Sequence, residues 1–214
     1  MTKKLRFLIA SGPTQEPLDP VRYISNYSTG TMGKYLVQAA KNQGNRVTWV
    51  ECPKKAETAL ELERELKKLL PSHDVLVMVA AVCDVRPVRF SRAKIKKDLL
   101  SAIKVTKNPD ILKNLSKIKK SGQVFIGFGL ESDNLLKNGL KKLRQKSLDL
   151  IVLQRVTKNA HPFGDKPIDA FLLGKDEGIA RLGTITKQKL ARLIIDRAEE
   201  LVKVKRRDER EPFC

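Results

Sequence analysis

The sequence predicts a Rossmann-like α/β fold: a doubly wound, mostly parallel sheet with a basic flap and an added β-hairpin. Three observations predict it. Short apolar runs alternate with amphipathic helical runs along the chain. The apolar runs are rich in Val, Ile, Leu and Phe without polar alternation, as in strands buried on both faces of a parallel sheet. Two stretches break the rhythm, one crowded with Arg and Lys, the other leading into a pair of short strand-like segments.

Residues 5–10, 46–51, 75–82, 123–129 and 148–153 read as strands in chain order. Helical patterns lie between them. In 31–43, Met32, Leu36, Ala39 and Ala40 form one apolar stripe, and Gly44 stops the helix. Residues 57–70 form a second helix ended by Pro71, and 109–118 a third with Pro109 in its first turn and Asn108 as N-cap. Residues 134–146 turn Leu136, Leu140 and Leu143 inward, and 186–202 place Leu190, Leu193, Ile194 and Leu201 at core spacing. Residues 167–173 and 179–182 are expected to pair as the added hairpin. Residues 83–98 carry Arg86, Arg89, Arg92, Lys94, Lys96 and Lys97 and are too long for an ordinary βα connection, so they read as a functional flap. Residues 154–166 form a second long loop. The domain plan is a single domain over 1–204 and a charged, flexible tail over 205–214.

No apolar run approaches the roughly 18–20 residues that span a bilayer. The first apolar run is too short for a signal peptide, so a cytoplasmic protein is expected. Cys52, Cys83 and Cys214 form no CxxC pair and only His73 and His161 could help them, which argues against a structural zinc and for reduced thiols. The net charge of +19 fits nucleic-acid binding, a pocket for polyanionic small molecules, or a merely basic proteome. Only 5% of residues are aromatic and no RNA-recognition motif is present, which counts against specific RNA reading.

The first strand ends at Ser11-Gly12-Pro13-Thr14, where a dinucleotide fold would place GxGxxG. A long segment instead precedes Gly30-Thr31-Met32-Gly33. Free amides there could receive a phosphate or carboxylate, or the glycines could serve only a tight turn and close packing. Arg22, Asn26, Ser28 and Thr29 offer polar groups beside them. An Asn amide suits an acyl-phosphate carbonyl, though Asn26 and Ser28 could equally cap the helix.

Asp19-Pro20-Val21-Arg22-Tyr23-Ile24-Ser25-Asn26, with Ser28, Gly30 and Met32-Gly33, closely resembles the fingerprint of the phosphopantothenoylcysteine synthetases. The likeness continues through Ala80-Ala81-Val82, Asp84, Arg86-Pro87, Lys94-Ile95-Lys96-Lys97, Lys107-Asn108-Pro109-Asp110-Ile111-Leu112, Gly127-Phe128 and Leu148-Asp149-Leu150-Ile151, in the family's order over almost the whole chain. The resemblance implies a ligase that joins 4′-phosphopantothenate to L-cysteine in coenzyme A biosynthesis. CTP would activate the carboxylate as an acyl-cytidylate, with Mg2+ as the metal; ATP is the alternative nucleotide. With no decarboxylase segment ahead of it, the monofunctional bacterial type is implied, with a separate decarboxylase protein as a possible companion and no FMN.

By the same resemblance Asn26 holds the acyl-nucleotide, and Lys94 supports triphosphate binding and the second half-reaction. Arg22, Ala80 and Ala81 join Asn26 at the substrate. Gly12, Ser28, Gly30, Asp84, Pro109, Asp110, Ile111, Leu112, Phe128, Lys142 and Lys146 join Lys94 at the nucleotide. No metal ligands are implied. In an extended flap Lys94 and Lys96 share one face and Lys97 the other. Without the resemblance, the flap lysines and Lys142 and Lys146 would read as solvated surface, and Phe128 as core. Tyr27 and Thr29 replace the family's more common His and Ser, and Cys83 and Val85 flank Asp84 unusually. A homodimer is implied, its flap reaching toward the partner subunit. Two readings stand beside the ligase: a basic nucleic-acid-binding protein, for which the charge guarantees only nonspecific affinity, and a nicotinamide-dependent reductase, which lacks GxGxxG and an acidic ribose anchor.

Overall fold

The computed structural model describes residues 4–156, 162–175 and 178–210. Five strands run parallel: β1 (Arg6–Pro13), β4 (Arg46–Glu51), β5 (Val75–Ala81), β8 (Val124–Glu131) and β9 (Leu150–Arg155). In chain order they lie second, first, third, fourth, fifth across the sheet, so the winding reverses between β1 and β5. The β10 (Ile168–Gly174) and β11 (Gly178–Ile185) pair adds an antiparallel hairpin beyond β9, as expected. Ligands in such sheets bind beyond the carboxyl ends of the strands at the reversal.

Helices cover both faces. On one side α1 (Thr31–Asn42) and α5 (Lys187–Arg210) pack Leu36, Ala40, Leu190 and Ile194 against Phe7, Ile9, Val75 and Val77. On the other, α2 (Ala59–Leu69), α3 (Ile111–Ser116) and α4 (Leu135–Gln145) pack Leu62, Leu66, Leu115 and Leu143 against Leu8, Leu76 and Phe125. Each fully buried Leu, Ile or Phe contributes roughly 1.5–3 kcal/mol, and the alternation of strand residues between two cores shows why these strands carry no polar face.

Several expectations are corrected. Asn108 is not an N-cap: α3 starts at Ile111 and Asp110 caps it, accepting from Lys113 N at 3.2 Å. Pro109 therefore lies ahead of the helix. Asn108 instead ties two strands together, donating to Cys83 O and accepting from Arg86. In α4, Asn134 takes a left-handed φ of 44° and the buried stripe shifts to Leu135, Gly139 and Leu143, leaving Leu136 38% exposed. In α5, Ile195, Ala198 and Val202 share the buried stripe with Leu190 and Ile194, while Leu193 and Leu201 are only half-buried.

The segment after β1 is a hairpin, β2 (Gln15–Asp19) with β3 (Arg22–Ser25), that sequence periodicity did not reveal. The flap is held at its base by β6 (Val85–Pro87) pairing with β7 (Val105–Lys107). Lys97 opens a 3-10 turn over Lys97–Leu99, so the flap lysines do not alternate along one extended strand. The chain does not leave the fold at 205, because α5 continues to Arg210 with Lys205 and Arg206 anchored to Asp149 and Asp74 at 2.7 and 2.9 Å. The last residues of the expected tail, 211–214, lie outside the described residues.

Candidate active site

The site is built where β1 and β5 end. At Gly12 (φ +84°) the chain turns so tightly past β4 that a Cβ would stand 2.2 Å from the Cys52 carbonyl oxygen. At Gly33 a Cβ would meet the Ser11 side chain at 2.1 Å, so α1 starts directly on the end of β1. Buried Ser11 is fixed from the other side by the Trp49 indole N–H at 2.8 Å. Gly30 is the N-cap of α1, in a left-handed conformation (φ 70°) with no side chain capping the helix. The glycines permit close packing, and they leave the first-turn amides uncapped beside a cavity.

That cavity, of about 370 Å³, is lined by Asn26, Ser28, the turn from Gly30 to Gly33, Ala80, Ala81, Asp84, Phe128 and Lys142, together with Gln154, Phe163 and Lys187. A second cavity of about 250 Å³ shares Ala80, Val82, Asp84 and Phe128 with it and extends to Pro109, Asp110, Ile111, Leu112 and Lys146. Residues drawn from eight separated stretches of chain thus form one continuous cleft at the carboxyl edge of the sheet. Asn26 and Ser28 do not cap α1. Asn26 donates to Ala81 O at 3.0 Å, which fixes its amide at the cavity wall, and Ser28 Oγ accepts from Gly30 N at 3.3 Å.

Three expected site residues line neither cavity. Gly12 lies behind Gly30, whose Cβ position is 3.4 Å from Gly12 Cα, so it shapes the turn from beneath. Arg22 holds Asp19 and the Ile95 carbonyl. Lys94 is exposed on the flap. Lys142 and Lys146 do reach the cleft, but each carries a carboxylate partner: Glu131 at 2.5 Å and Asp110 at 3.1 Å.

Burial pushes the Cys52 thiol up to about 12, with Glu51 and Glu61 adding to it, and burial likewise raises Cys83. Both remain protonated near neutral pH, so neither is a nucleophile in the cleft. Among the described residues, no three His, Cys, Asp or Glu side chains cluster to hold a metal, and no helix is long and apolar enough to cross a membrane.

Lys187, Glu131, Gln154 and Phe163 escaped the sequence reading. Lys187 had a signal: it stands three and seven residues before Leu190 and Ile194, on the apolar stripe of α5, where a cation is out of place. It is only 5% exposed, and burial lowers its pKa, partly offset by Asp165. Glu131 and Phe163 carried no comparable signal, since each is placed by tertiary packing of a loop or strand end.

The fold and cleft define a class, a doubly wound α/β domain with a cleft at the strand reversal lined by uncapped helix amides and lysines. The chain belongs to the family described as DNA/pantothenate metabolism flavoprotein C-terminal domain, which it matches over residues 2–202. It is 33% identical over 207 residues to the coenzyme A biosynthesis bifunctional protein CoaBC of Borreliella burgdorferi, covering 90% of this chain and 52% of that protein. It is 34% identical over 209 residues to the protein of the same name from Escherichia coli strain K12, covering 91% and 51%. The chain therefore spans about half the length of these curated relatives. The crystal structure of the C-terminal domain of a coenzyme A biosynthesis bifunctional protein CoaBC superposes with a TM-score of 0.76 at 28% identity, covering 93% of this chain and 96% of that one. The expected family and fold class are both borne out.

Proposed function

We propose that this chain ligates 4′-phosphopantothenate to L-cysteine through an acyl-nucleotide, with CTP as the activating nucleotide. The observation that carries the reading is the convergence in one cleft of Asn26, Ala80, Ala81, Asp84, Phe128, Lys142 and Lys146. In the first step a carboxylate oxygen attacks the α-phosphorus, the bond to the β-phosphate oxygen breaks and pyrophosphate leaves. In the second, the cysteine amine attacks the acyl carbon, the acyl–oxygen bond breaks, CMP departs and the nitrogen loses a proton.

Both steps pass negative charge onto the phosphate oxygens of the leaving group, so fixed donors matter more than a strong base. The uncapped amides of α1 and the ammonium groups of Lys142 and Lys146 supply them. Asn26, fixed on Ala81 O, would hold the acyl carbonyl. Asp84 is the carboxylate that lines both cavities. That donor set fits a Mg2+ ion held chiefly by the nucleotide's own phosphates, with Asp84 its protein ligand, and the ion would neutralise charge on the triphosphate. The reading assigns no step to FMN.

A homodimer is part of the proposal. Val88, Phe90, Leu99 and Ile103 expose apolar side chains on the flap, and Lys94, outside its own cleft, would act in the partner's. The direct test is pyrophosphate release from phosphopantothenate, cysteine and Mg2+ with CTP or ATP. Release with neither nucleotide refutes the ligase reading, and a preference for ATP refutes only the choice of nucleotide.

A further inference from the structure

Lys187 stands where the physics of the fold disfavours a cation. It is the first residue of α5, a helix of 24 residues, so its charge sits against the positive end of the helix dipole. It is also nearly sealed from water, and desolvation opposes its charged form. The helix does not need it for capping, since Thr186 Oγ1 already accepts from Lys189 N at 3.3 Å. What the ammonium does is gather two carbonyls, donating to Pro162 O at 2.5 Å and to Gly164 O. Carbonyls two residues apart that converge on one point need a single atom with several N–H donors. An ammonium has three, whereas a hydroxyl has one. The residue between those carbonyls is Phe163, which lines the larger cavity and faces Tyr27, their rings 6.2 Å apart. Tyr27 in turn adjoins Asn26. The segment has a second tie on its far side, Tyr35 Oη donating to Asp165 at 2.9 Å.

We propose that Lys187 is a positioning residue of the cleft: by drawing the carbonyls of Pro162 and Gly164 onto one ammonium it sets Phe163 as a cavity wall against Tyr27, beside Asn26. This deepens the ligase reading and rests on it for its kinetic consequence. The structural consequence, a fixed 162–165 segment, does not depend on which reaction the cleft performs.

The test compares Lys187→Met, which keeps the length and apolar stem but loses every donor, with Lys187→Arg, which retains several N–H donors. Hydrogen exchange at residues 163–165 should rise about tenfold in Lys187→Met, with the sheet strands unchanged. The KM for phosphopantothenate or for the nucleotide should rise about fivefold or more at nearly constant kcat, because a displaced wall weakens binding without touching the reacting atoms. Lys187→Arg should recover a large part of both effects. A residue serving only stability would lower the melting temperature and leave both KM values and the local exchange as in the parent chain, and that result overturns the proposal. Should Lys187→Met fail to fold, Phe163→Ala removes the wall directly; it must raise the same KM with parental melting, and an unchanged KM overturns the proposal. If the parent chain proves inactive as a ligase, calorimetric binding of CTP and of phosphopantothenate replaces the kinetic arm. The exchange comparison then still decides whether Lys187 fixes the segment.

Discussion

Arg22 and Asp19 form a clasp on the flap: the guanidinium lies on the Asp19 carboxylate and donates to Ile95 O at 2.8 Å, while Ile95 N donates back to Asp19 at 3.1 Å. The Asp19 carboxylate is fully buried within this arrangement. Hydrogen bonding from Arg22 holds it well below the usual carboxylate range, against the opposing effect of burial and with help from the Val21 and Ile95 amides. Two residues of the β2–β3 hairpin thus position the segment that carries Lys94.

The pH dependence follows from that shift. Asp19 binds its proton less readily folded than unfolded, so its contribution to stability is complete above the ordinary carboxylate pKa of about 4. It is lost only as pH falls through the lower folded value. The clasp should therefore persist unchanged from neutral pH to about pH 4, read by the Asp19 carboxyl carbon shift. Asp19→Asn should release the flap at neutral pH, and trypsin should then cut between 89 and 97 faster, with the core fragment intact. Equal cutting rates in parent and variant would show that the flap is held elsewhere.

Gly12→Ala should be far more damaging than Gly44→Ala, although both glycines have left-handed φ values, 84° and 79°. At Gly44 the nearest atom to an added Cβ is Lys4 Cε at 3.9 Å, so only backbone strain of about 1 kcal/mol is expected. At Gly12 the Cβ would fall on the Cys52 carbonyl, a backbone atom that cannot swing aside, and a loss of about 3 kcal/mol or more is expected. Urea unfolding of the two variants measures the difference.

The parallel sheet was legible because its central strands, buried on both faces, read as nearly continuous apolar runs, and the edge strand 46–51 was also read to the residue. At Gly30 and Asn26 the residues alone left two uses open, and it was the family resemblance that singled them out for the cleft. What escaped depends on tertiary partners. The β2–β3 hairpin hides among prolines and polar residues. In α4 the buried stripe starts from Leu135 and Gly139 rather than Leu136, and meets the expected one at Leu143. The basic end of α5 resembles a solvated tail until the half-buried carboxylate of Asp74 and the buried one of Asp149 are seen beneath it. Lys187 was overlooked because a charge on an apolar stripe reads as an interruption of the core rather than as part of a site.

Asp149 should be among the most costly polar positions to neutralise. Its carboxylate accepts from Phe125 N, Lys119 Nζ and Lys205 Nζ, each at 2.7 Å, and is 7% exposed. Burial pulls the Lys119 pKa down while Asp149 supports its charge. Asp149→Asn would leave two ammonium groups facing a neutral amide, a loss of about 3–5 kcal/mol. Lys205→Met, which leaves the carboxylate with Lys119, should cost only about 1 kcal/mol. If Lys205→Met and Asp149→Asn both unfold at the urea concentration of the parent chain, the basic end of α5 is not held by this pair.

Asn26 and Lys94 should fail at different steps of the ligase reaction. Asn26 lies at the cavity wall, with its amide N–H on Ala81 O at 3.0 Å. Asn26→Asp replaces that donor by an anionic oxygen facing a carbonyl and an acyl phosphate, so pyrophosphate release should fall by about 10²–10³-fold. Lys94 stands outside the cleft of its own chain. In Lys94→Gln the pyrophosphate burst should survive while ligated product forms slowly and the acyl-nucleotide accumulates in quenched samples; full overall turnover would remove Lys94 from the mechanism. The two variants also test whether the flap serves a partner. If it does, re-mixing them gives hybrid dimers in which one cleft has both an intact Asn26 and an intact Lys94, and about a quarter of parental activity should return. If each flap serves its own cleft, every site in the mixture carries one lesion and no activity returns.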